Sequence, residues 1–541
     1  SSALVPHTFN QARSEMKCVK YIIKDEIPFR AVEGTGFREF INDLQPRFII
    51  PNRKKVAKGV WDLFLVEKTK IMSVISDQRV SITTDSWTSI QNTNYMVVTA
   101  HFMDYEWKLH KGIINFIKIT SHKGDDIGRC LDACLNSLGI KKVFSITVDN
   151  ASANDGAVEY MAKRFKSLNT LMLEGKYLHM RCACHILNLV VNDGLKELSS
   201  SIEGIRNCVK YIHSSPSRLD KFRDFAILES MDNMANIPLD VATRWNATYK
   251  MLDGAFKYKN VFARMADESA PFVAYFNELE RDGKKNLVKR VGPPTESDWE
   301  NAQAFVHFLK KFYETTLKLS ATKTCTSNIM FTELVGLQVE IERKIKDGGN
   351  ETLQKVASSM KLNALLTLYN EYKGVGNLGP LQTLDEGDEE GLEDELDGDD
   401  AHSQMLREML LQRKEEQQME ISNEVDKYFA DPFENPRNKS FNLLDWWKGN
   451  QSKYPIPSKV AKDIFAIPSS TVASENAFSL GKRIVDPFRS SLTPKMVEAL
   501  VCTHDWLRAD EFNLYKEPTD EEIAFYKELE DIQASISIIY L

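Results

Sequence analysis

The chain has 541 residues, 43% of them hydrophobic, so it can bury large cores and is not globally disordered. It has no run of eighteen or more apolar residues, which excludes a helical membrane span, and its eight scattered cysteines read as reduced thiols of cytosol or nucleus rather than a disulfide framework. The net charge of −8 argues against nucleic acid at first sight, but residues 385–400 hold eleven acidic residues and no basic one; the remainder is mildly basic and compatible with DNA binding.

The first residues, SSALVPHTFNQARSEMK, have neither an initiator Met nor a signal-peptide apolar core, so a piece of a longer chain is expected. Residues 9–30 read as a helix. Phe29, Val32, Phe37, Phe40, Ile41 and Leu44 then form a compact apolar set, and Val60, Leu63, Val66 and Ile71 mark a helix over 54–75. Residues 1–78 are expected to be an N-terminal helical module.

At residue 79 the pattern turns to alternation. RVSITTDSW sets Val80 and Ile82 against Ser81 and Thr83 and ends on Asp85; 94–104 and 107–120 read as two further strands, linked shortly enough for an antiparallel meander. A helix over about 125–138, with Ile127, Leu131, Leu135 and Leu138 on one face, leads to VFSITVDNASAND (143–155). There Phe144, Ile146 and Val148 alternate with Ser145 and Thr147, a strand with one buried face. A helix over about 153–168 follows, then KYLHMRCACHILNLVVNDGL, a short strand entering an apolar helix. The order β-β-β-α-β-α-β-α is that of an RNase H-like fold, assigned to 79–200.

Residues 201–465 lose the strand signal and read as a large all-α insertion. In SDWENAQAFVHFLKKFYETTLKL, Ser297 and Glu300 form a capping box, and Trp299, Ala302, Val306, Leu309 and Phe312 (or Tyr313) make the core face. Helical character recurs over 351–372 and 403–430, and the acidic block lies between them in a loop, 380–402, expected to be disordered. Pro468 and Ser469 suit the opening of a helix that carries Glu475, with Gly481 suited to close it. A last helix spans about Pro494 to Leu507, and 509–541 read as a tail.

Asp149 stands at the C-terminal tip of its strand, held by a rigid element and facing solvent, where a sheet protein places a metal ligand or catalytic acid. Taken alone, it is better explained as a cap of the next helix. Asp85 ends the first strand, which neighbours the fourth in an RNase H-like sheet, so the two tips meet. Phosphodiester cleavage in this fold class uses two divalent cations, and Mg²⁺ takes hard oxygen ligands. A third acid is then needed from a later helix; Glu475 is the candidate, although spacing alone does not select it among so many acids. Cys182, Cys184, His185 and His179 have the residue types of a zinc site, but their spacing is too tight for four tetrahedral ligands, and no zinc is expected.

Several blocks in one order carry a resemblance: DEIPFRAVEGTGF with LQPRF and IP (26–51), TTDSWTS (83–89), ITVDNASAND (146–155), RCACHILNLVVNDGL (181–195), TRWNATYKML (243–252), and then DWWKGN, YPIPSKVAKDIFAIP and SSTVASENAFS. In these the chain resembles transposases of the hAT superfamily, in the plant BED-finger-associated branch. The resemblance implies a mixed α/β fold: a DDE-type, RNase H-like catalytic domain interrupted by a helical insertion, with a C-terminal dimerisation region, here 420–508, that carries the last catalytic helix. It implies Asp85, Asp149 and Glu475 as catalytic acids holding two Mg²⁺ (or Mn²⁺) ions.

Cys182 and His185 match the family's C-x-x-H element, and Arg244 and Trp245 its R-W element. The resemblance implies that His185 supports the reaction or contacts DNA, with Cys182 and Arg244 beside the DNA. It implies that Trp245 stacks on an unpaired base at the cleavage point, whereas by residue type alone Trp245 also suits a core. Implied partners are double-stranded DNA (transposon ends and target) and a second copy of the chain, as homodimer or higher oligomer, in the nucleus and off membranes. The implied function is cut-and-paste transposition with a hairpin on the flanking DNA; a domesticated, dimeric DNA-binding regulator without cutting is the alternative. Two departures stand out. No CxxC…H pattern of a BED finger occurs in the first eighty residues, and SENAFS keeps the third acid while losing a neighbouring Arg.

Overall fold

The computed structural model describes residues 9–231, 236–241, 244–281, 286–322, 324–347, 350–360, 424–431, 434, 441–485 and 492–508. The acidic loop at 380–402, residues 361–372 and 403–423 of the helical stretches expected over 351–372 and 403–430, and the tail 509–541 lie outside the described residues. The chain divides into two compact units, Ser1–Ile71 with Leu480–Leu541, and Met72–Ser479. Among the described residues no helix is long and apolar enough to cross a membrane.

In the first unit, helix α1 (Gln11–Lys24) opens on Asn10, whose side chain accepts from the Arg13 amide. It stops at Lys24, well before the expected residue 30: Glu26 at φ +54 turns the chain out of the helix, with the Glu26 and Ile27 amides closing back on the Ile23 and Ile22 carbonyls. Helices α2 (Thr35–Leu44) and α3 (Arg53–Ile75) follow. Cys18, Ile22, Val32, Phe48 and Val56 form a core, with Phe29, Phe37 and Ile41 packed against it. Phe40 and Leu44, expected in that set, are 60% and 63% exposed. The helix turns Phe37 and Ile41 inward and leaves its flank outside, a choice that apolar spacing does not encode. The last helix, Pro494–Arg508, packs on α1, and its Trp506 stacks on Phe64 at 5.5 Å.

The second unit is built on a mixed five-stranded sheet. Its strands are β1 (Val80–Thr88), β2 (Asn94–Met103), β3 (Leu109–Ile119), β4 (Val143–Val148) and β5 (His179–Arg181), in the order β3-β2-β1-β4-β5. β1–β2 and β2–β3 are antiparallel, and β1–β4 and β4–β5 parallel, so β1 and β4 are the expected neighbours. β3 begins at Leu109 rather than Trp107. Trp107 sits at φ +62 in a turn where the Asp104 carboxylate accepts from the Glu106 and Lys108 amides. Helices α4 (Gly124–Ser137) and α5 (Ser152–Ser167) form the crossovers. They approach so closely that a Cβ on Gly124 would stand 2.8 Å from the Ala153 carbonyl oxygen.

Helical structure follows: α6 (Ala183–Glu197), α7 (Ser199–His213), α8 (Pro216–Leu228), α9 (Trp245–Phe256), α10 (Lys259–Glu268), α11 (Ala270–Phe276), α12 (Glu296–Leu319), α13 (Ser327–Lys346) and α14 (Glu351–Met360). One core joins them, with Phe262, Phe272, Phe305, Phe308 and Phe312 buried in it. The region is not all-α: β6 (Leu279–Arg281) and β7 (Leu287–Lys289) pair as an antiparallel hairpin. Asp282-Gly283 between them is a hairpin signal in sequence, weakened by how short and exposed the strands are. The capping box of α12 is Thr295 with Asp298, not Ser297 with Glu300, so the N-cap lies at Thr295 rather than Ser297, about half a turn earlier than expected. Later helices cover Glu424–Ala430, Leu443–Asn450, Pro455–Phe465 and Val472–Ile484. Gly481 lies inside the last of these and does not close it.

His504, on the final helix, is buried beside Glu26, which also pairs with Arg483. Burial, seconded by the charge of Arg508, pushes the imidazole down to about 4. A histidine with a depressed folded pKa contributes stability that is complete above its unfolded value and lost as pH falls towards the folded one. Stability measured by urea unfolding is therefore expected to drop between pH 6.5 and 4, with His504 contributing about 2–3 kcal/mol. In His504→Gln that part of the slope disappears.

Candidate active site

The central strands carry an unusual face. Register pairs Ser81 with Ser145 and His101, and Thr83 with Thr147 and Thr99, which puts six polar side chains on one side of β4, β1 and β2. All six are buried. β4 is thus buried on both faces, not on one: its serine and threonine were the expected solvent side, and they meet protein instead.

What covers them is the segment Pro468–Ser474, at the start of the helix that carries Glu475. Thr147 Oγ1 donates to the Pro468 carbonyl at 3.0 Å. The amide of Ala183, in the first turn of α6, donates to the Ser469 carbonyl at 2.9 Å. The hydroxyls of Ser469 and Ser470 donate to the carbonyl of Leu319, the last residue of α12, at 3.3 and 3.0 Å. The Ser469 amide donates to Thr326 Oγ1, and both the amide and hydroxyl of Thr471 donate to Cys182 Sγ at 3.4 Å. Helix ends leave backbone groups without intrahelical partners. Here the start of α6 and the end of α12 find theirs in one strap. Finally, Ser474 Oγ hydrogen-bonds Thr83 Oγ1 at 2.9 Å and Thr99 Oγ1 at 3.2 Å, and the two threonine hydroxyls bond each other.

The acids lie at the rim of this contact. Asp85 is two residues beyond Thr83 on the same face of β1, its carboxylate accepting from the Ser86 amide at 2.7 Å. Burial raises its pKa to about 7, helped by the charges of Asp149 and Glu475 and opposed by the Ser86 amide. Asp149 does not cap α5, whose N-cap position is Ala151. Its Oδ1 accepts both the Ala151 amide (3.0 Å) and the Asn154 side-chain amide (2.5 Å). Glu475 is exposed in the first turn of its helix.

Three carboxylates drawn from three distant stretches therefore share one electrostatic neighbourhood. Their hard oxygens suit a divalent cation. Among the described residues, however, no three His, Cys, Asp or Glu side chains are grouped as ligands of one ion.

The other expected site residues divide. His185 is half-buried in the first turn of α6, which opens beyond β5, the neighbour of β4. Arg244 is exposed at the N-cap of α9. Cys182, expected beside DNA, is 1% exposed; burial pushes its thiol up, and it holds Thr471 rather than facing solvent. Trp245, expected to stack on a base, is 2% exposed and packs edge-on against Tyr249 and Tyr313. So large an apolar ring gains most by full burial, and here the core reading holds. Thr83, Thr99, Ser474 and Asn154 were not singled out from sequence. The available signal was Ser and Thr repeating at alternate strand positions that lead to Asp85 and Asp149.

A carboxyl whose folded pKa is raised favours the fold below its unfolded value, near 3.8, and loses that advantage as pH rises through about 7. Asp85→Asn is therefore expected to match wild-type stability at pH 4 and to exceed it by about 1–3 kcal/mol at pH 8, in denaturant titrations without metal. Equal stability of the two proteins at pH 8 would contradict the buried, like-charged setting.

Three family models match the chain: a ZBED1 RNase-like domain over residues 83–177, a ZBED1 RNase-like helical domain over 180–308, and the hAT family C-terminal dimerisation region over 424–507. The chain is 32% identical over 559 residues to a putative AC transposase of Zea mays, an alignment covering 93% of this chain and 66% of that one. It is 29% identical over 570 residues to the zinc finger BED domain-containing protein RICESLEEPER 2 of Oryza sativa subsp. japonica, covering 92% and 75%. This chain thus spans just under two thirds of the maize relative's length. With the sheet, the helical region and the dimerisation region matched in that order, the chain belongs to the hAT transposase-like family of plants.

Proposed function

We propose that the chain is a nuclear, DNA-cutting and DNA-joining protein of the cut-and-paste type, built on an RNase H-like DDE domain. The observation that carries this reading is the pairing of β1 with β4, which sets the strand carrying Asp85 beside the strand that leads to Asp149, with the charges of Asp149 and Glu475 both acting on Asp85. Asp85, Asp149 and Glu475 would hold Mg²⁺ or Mn²⁺, in the two-ion arrangement, which supplies activation of the attacking oxygen and stabilisation of the leaving one.

The chain's own groups do the rest. The Ala151 amide and Asn154 fix Asp149 through Oδ1, which leaves its other oxygen clear of those two bonds. Asp85 must lose its proton to act as an anion, and burial makes that loss late. His185, half-buried in the first turn of α6, would contact the DNA or support the reaction. Arg244 offers an exposed guanidinium to the DNA backbone. In this reading water attacks at the transposon end, the flanking DNA closes as a hairpin, and the freed 3′-hydroxyl joins target DNA. Two copies associate through the dimerisation region, 424–507.

Burial of Trp245 favours a second reading, a dimeric DNA-binding regulator that does not cut, since the ring is not offered to an unpaired base. The two separate in one assay. Full-length protein is incubated with labelled DNA carrying the inverted repeats that flank its gene, with Mg²⁺ or Mn²⁺. Nicking that falls by about 100-fold or more in Asp149→Ala is the expected outcome. A salt-dependent gel shift without nicking, or nicking indifferent to that substitution, selects the regulator.

A further inference from the structure

We propose that Ser474, held by the hydroxyls of Thr83 and Thr99, is the positioning residue that sets Glu475 against Asp85; this deepens the cutting reading and rests on it. The geometry is specific. Ser474 is fully buried and Glu475 is exposed, although they are consecutive. One residue turns a helix by about 100° and advances it about 1.5 Å, so pinning the Ser474 side chain fixes both the roll and the height of the Glu475 side chain. Thr83 and Asp85 lie on the same face of β1, about 7 Å apart along the strand. The contact that pins Ser474 is thus one strand repeat from the acid that Glu475 must meet.

The three hydroxyls form a closed triangle in which each oxygen has two partners. Each can donate once and accept, so the ring is self-satisfied in a site sealed from water. An aliphatic contact would bury the helix as well, but it would let the helix roll or slide. A hydrogen-bonded triangle has one register. This accounts for Thr83 and Thr99 in a sheet interior, where Val and Ile are the rule. The strap upstream adds to the effect: Leu319, Ala183, Thr147 and Thr326 already fix Ser469 and its neighbours, so the triangle need only set the last turn before Glu475.

The test uses Ser474→Ala, which leaves Thr83 and Thr99 bonded to each other, together with Thr83→Val and Thr83→Ser. Two readouts are taken on full-length protein: amide exchange of the peptide spanning 468–480, and cleavage of transposon-end DNA. Ser474→Ala and Thr83→Val should speed exchange of that peptide by about 10-fold or more while exchange of α4 and α12 is unchanged. They should lower the cleavage rate at saturating DNA by about 10-fold or more, with KM for DNA unchanged. Thr83→Ser, which keeps the hydroxyl, should recover most of both.

Unchanged exchange in Ser474→Ala and Thr83→Val overturns the proposal, as does an unchanged cleavage rate in a wild type that cuts. If wild type does not cut, the cutting reading fails by itself. The positioning of the helix is then decided by exchange alone, faster exchange supporting it and unchanged exchange overturning it.

Discussion

The constraint on which the site depends is that a buried backbone must be hydrogen-bonded. The segment Pro468–Ser474 crosses the interior between the sheet and the helical region, where water cannot serve it. Several elements contribute partners: Thr147 from β4, Ala183 and Cys182 from the start of α6, Leu319 from the end of α12, Thr326 beyond it, and Thr83 with Thr99 from β1 and β2. Each such bond contributes only about 1 kcal/mol net, but leaving its partner unmade inside the protein costs about 1–3 kcal/mol. The asymmetry makes the seat selective. A displaced strap loses several partners together, so one position of the following helix is favoured.

That seat opposes an electrostatic cost. Asp85 is removed from water and, in addition, feels the like charges of Asp149 and Glu475, which is why its proton is held to about neutral pH. The Ser86 amide opposes this at Asp85, and the Ala151 amide and the Asn154 side chain likewise donate to the Asp149 carboxylate. The exposed ion pairs of the chain, such as Lys163 with Glu159 or Lys355 with Glu351, contribute little by comparison. Stability therefore comes from apolar cores and from the hydrogen-bonded strap, and the acid cluster is carried against its own repulsion. Such a local conflict between stability and arrangement is characteristic of a functional site.

The sequence made periodic features legible. Strands β1 to β5, their order around α4 and α5, and the neighbouring tips bearing Asp85 and Asp149 follow from alternation and crossover rules. The features it hid share a cause: they depend on what lies opposite. Ser81, Thr83, Ser145 and Thr147 have the polarity of a solvent face, and only the strap above them makes that face interior. Trp245 suits a base or a core until Tyr249 and Tyr313 are found around it. Phe40 and Leu44 fit an apolar set that the packing leaves half unmade. Glu475 could not be chosen by pattern at all, because a single acid on a helix has no signature; likeness to the hAT family singled it out.

The long stretch of chain between α6 and Pro468 then has a physical role. Closing a loop costs entropy that grows only logarithmically with its length, so a large helical region between two parts of one site is tolerated cheaply. It is not a passive spacer, because Leu319 and Thr326 are among the partners that seat the strap. The helix bearing Glu475 is thus seated by the end of α12 as well as by the sheet. Thr83 and Thr99, by contrast, are paired as soon as β1 and β2 form a hairpin. The sheet brings its two aspartates together by its own strand pairing, whereas the third carboxylate is seated partly by the helical region. Completion of the acid cluster thereby becomes a report on the integrity of the whole second unit.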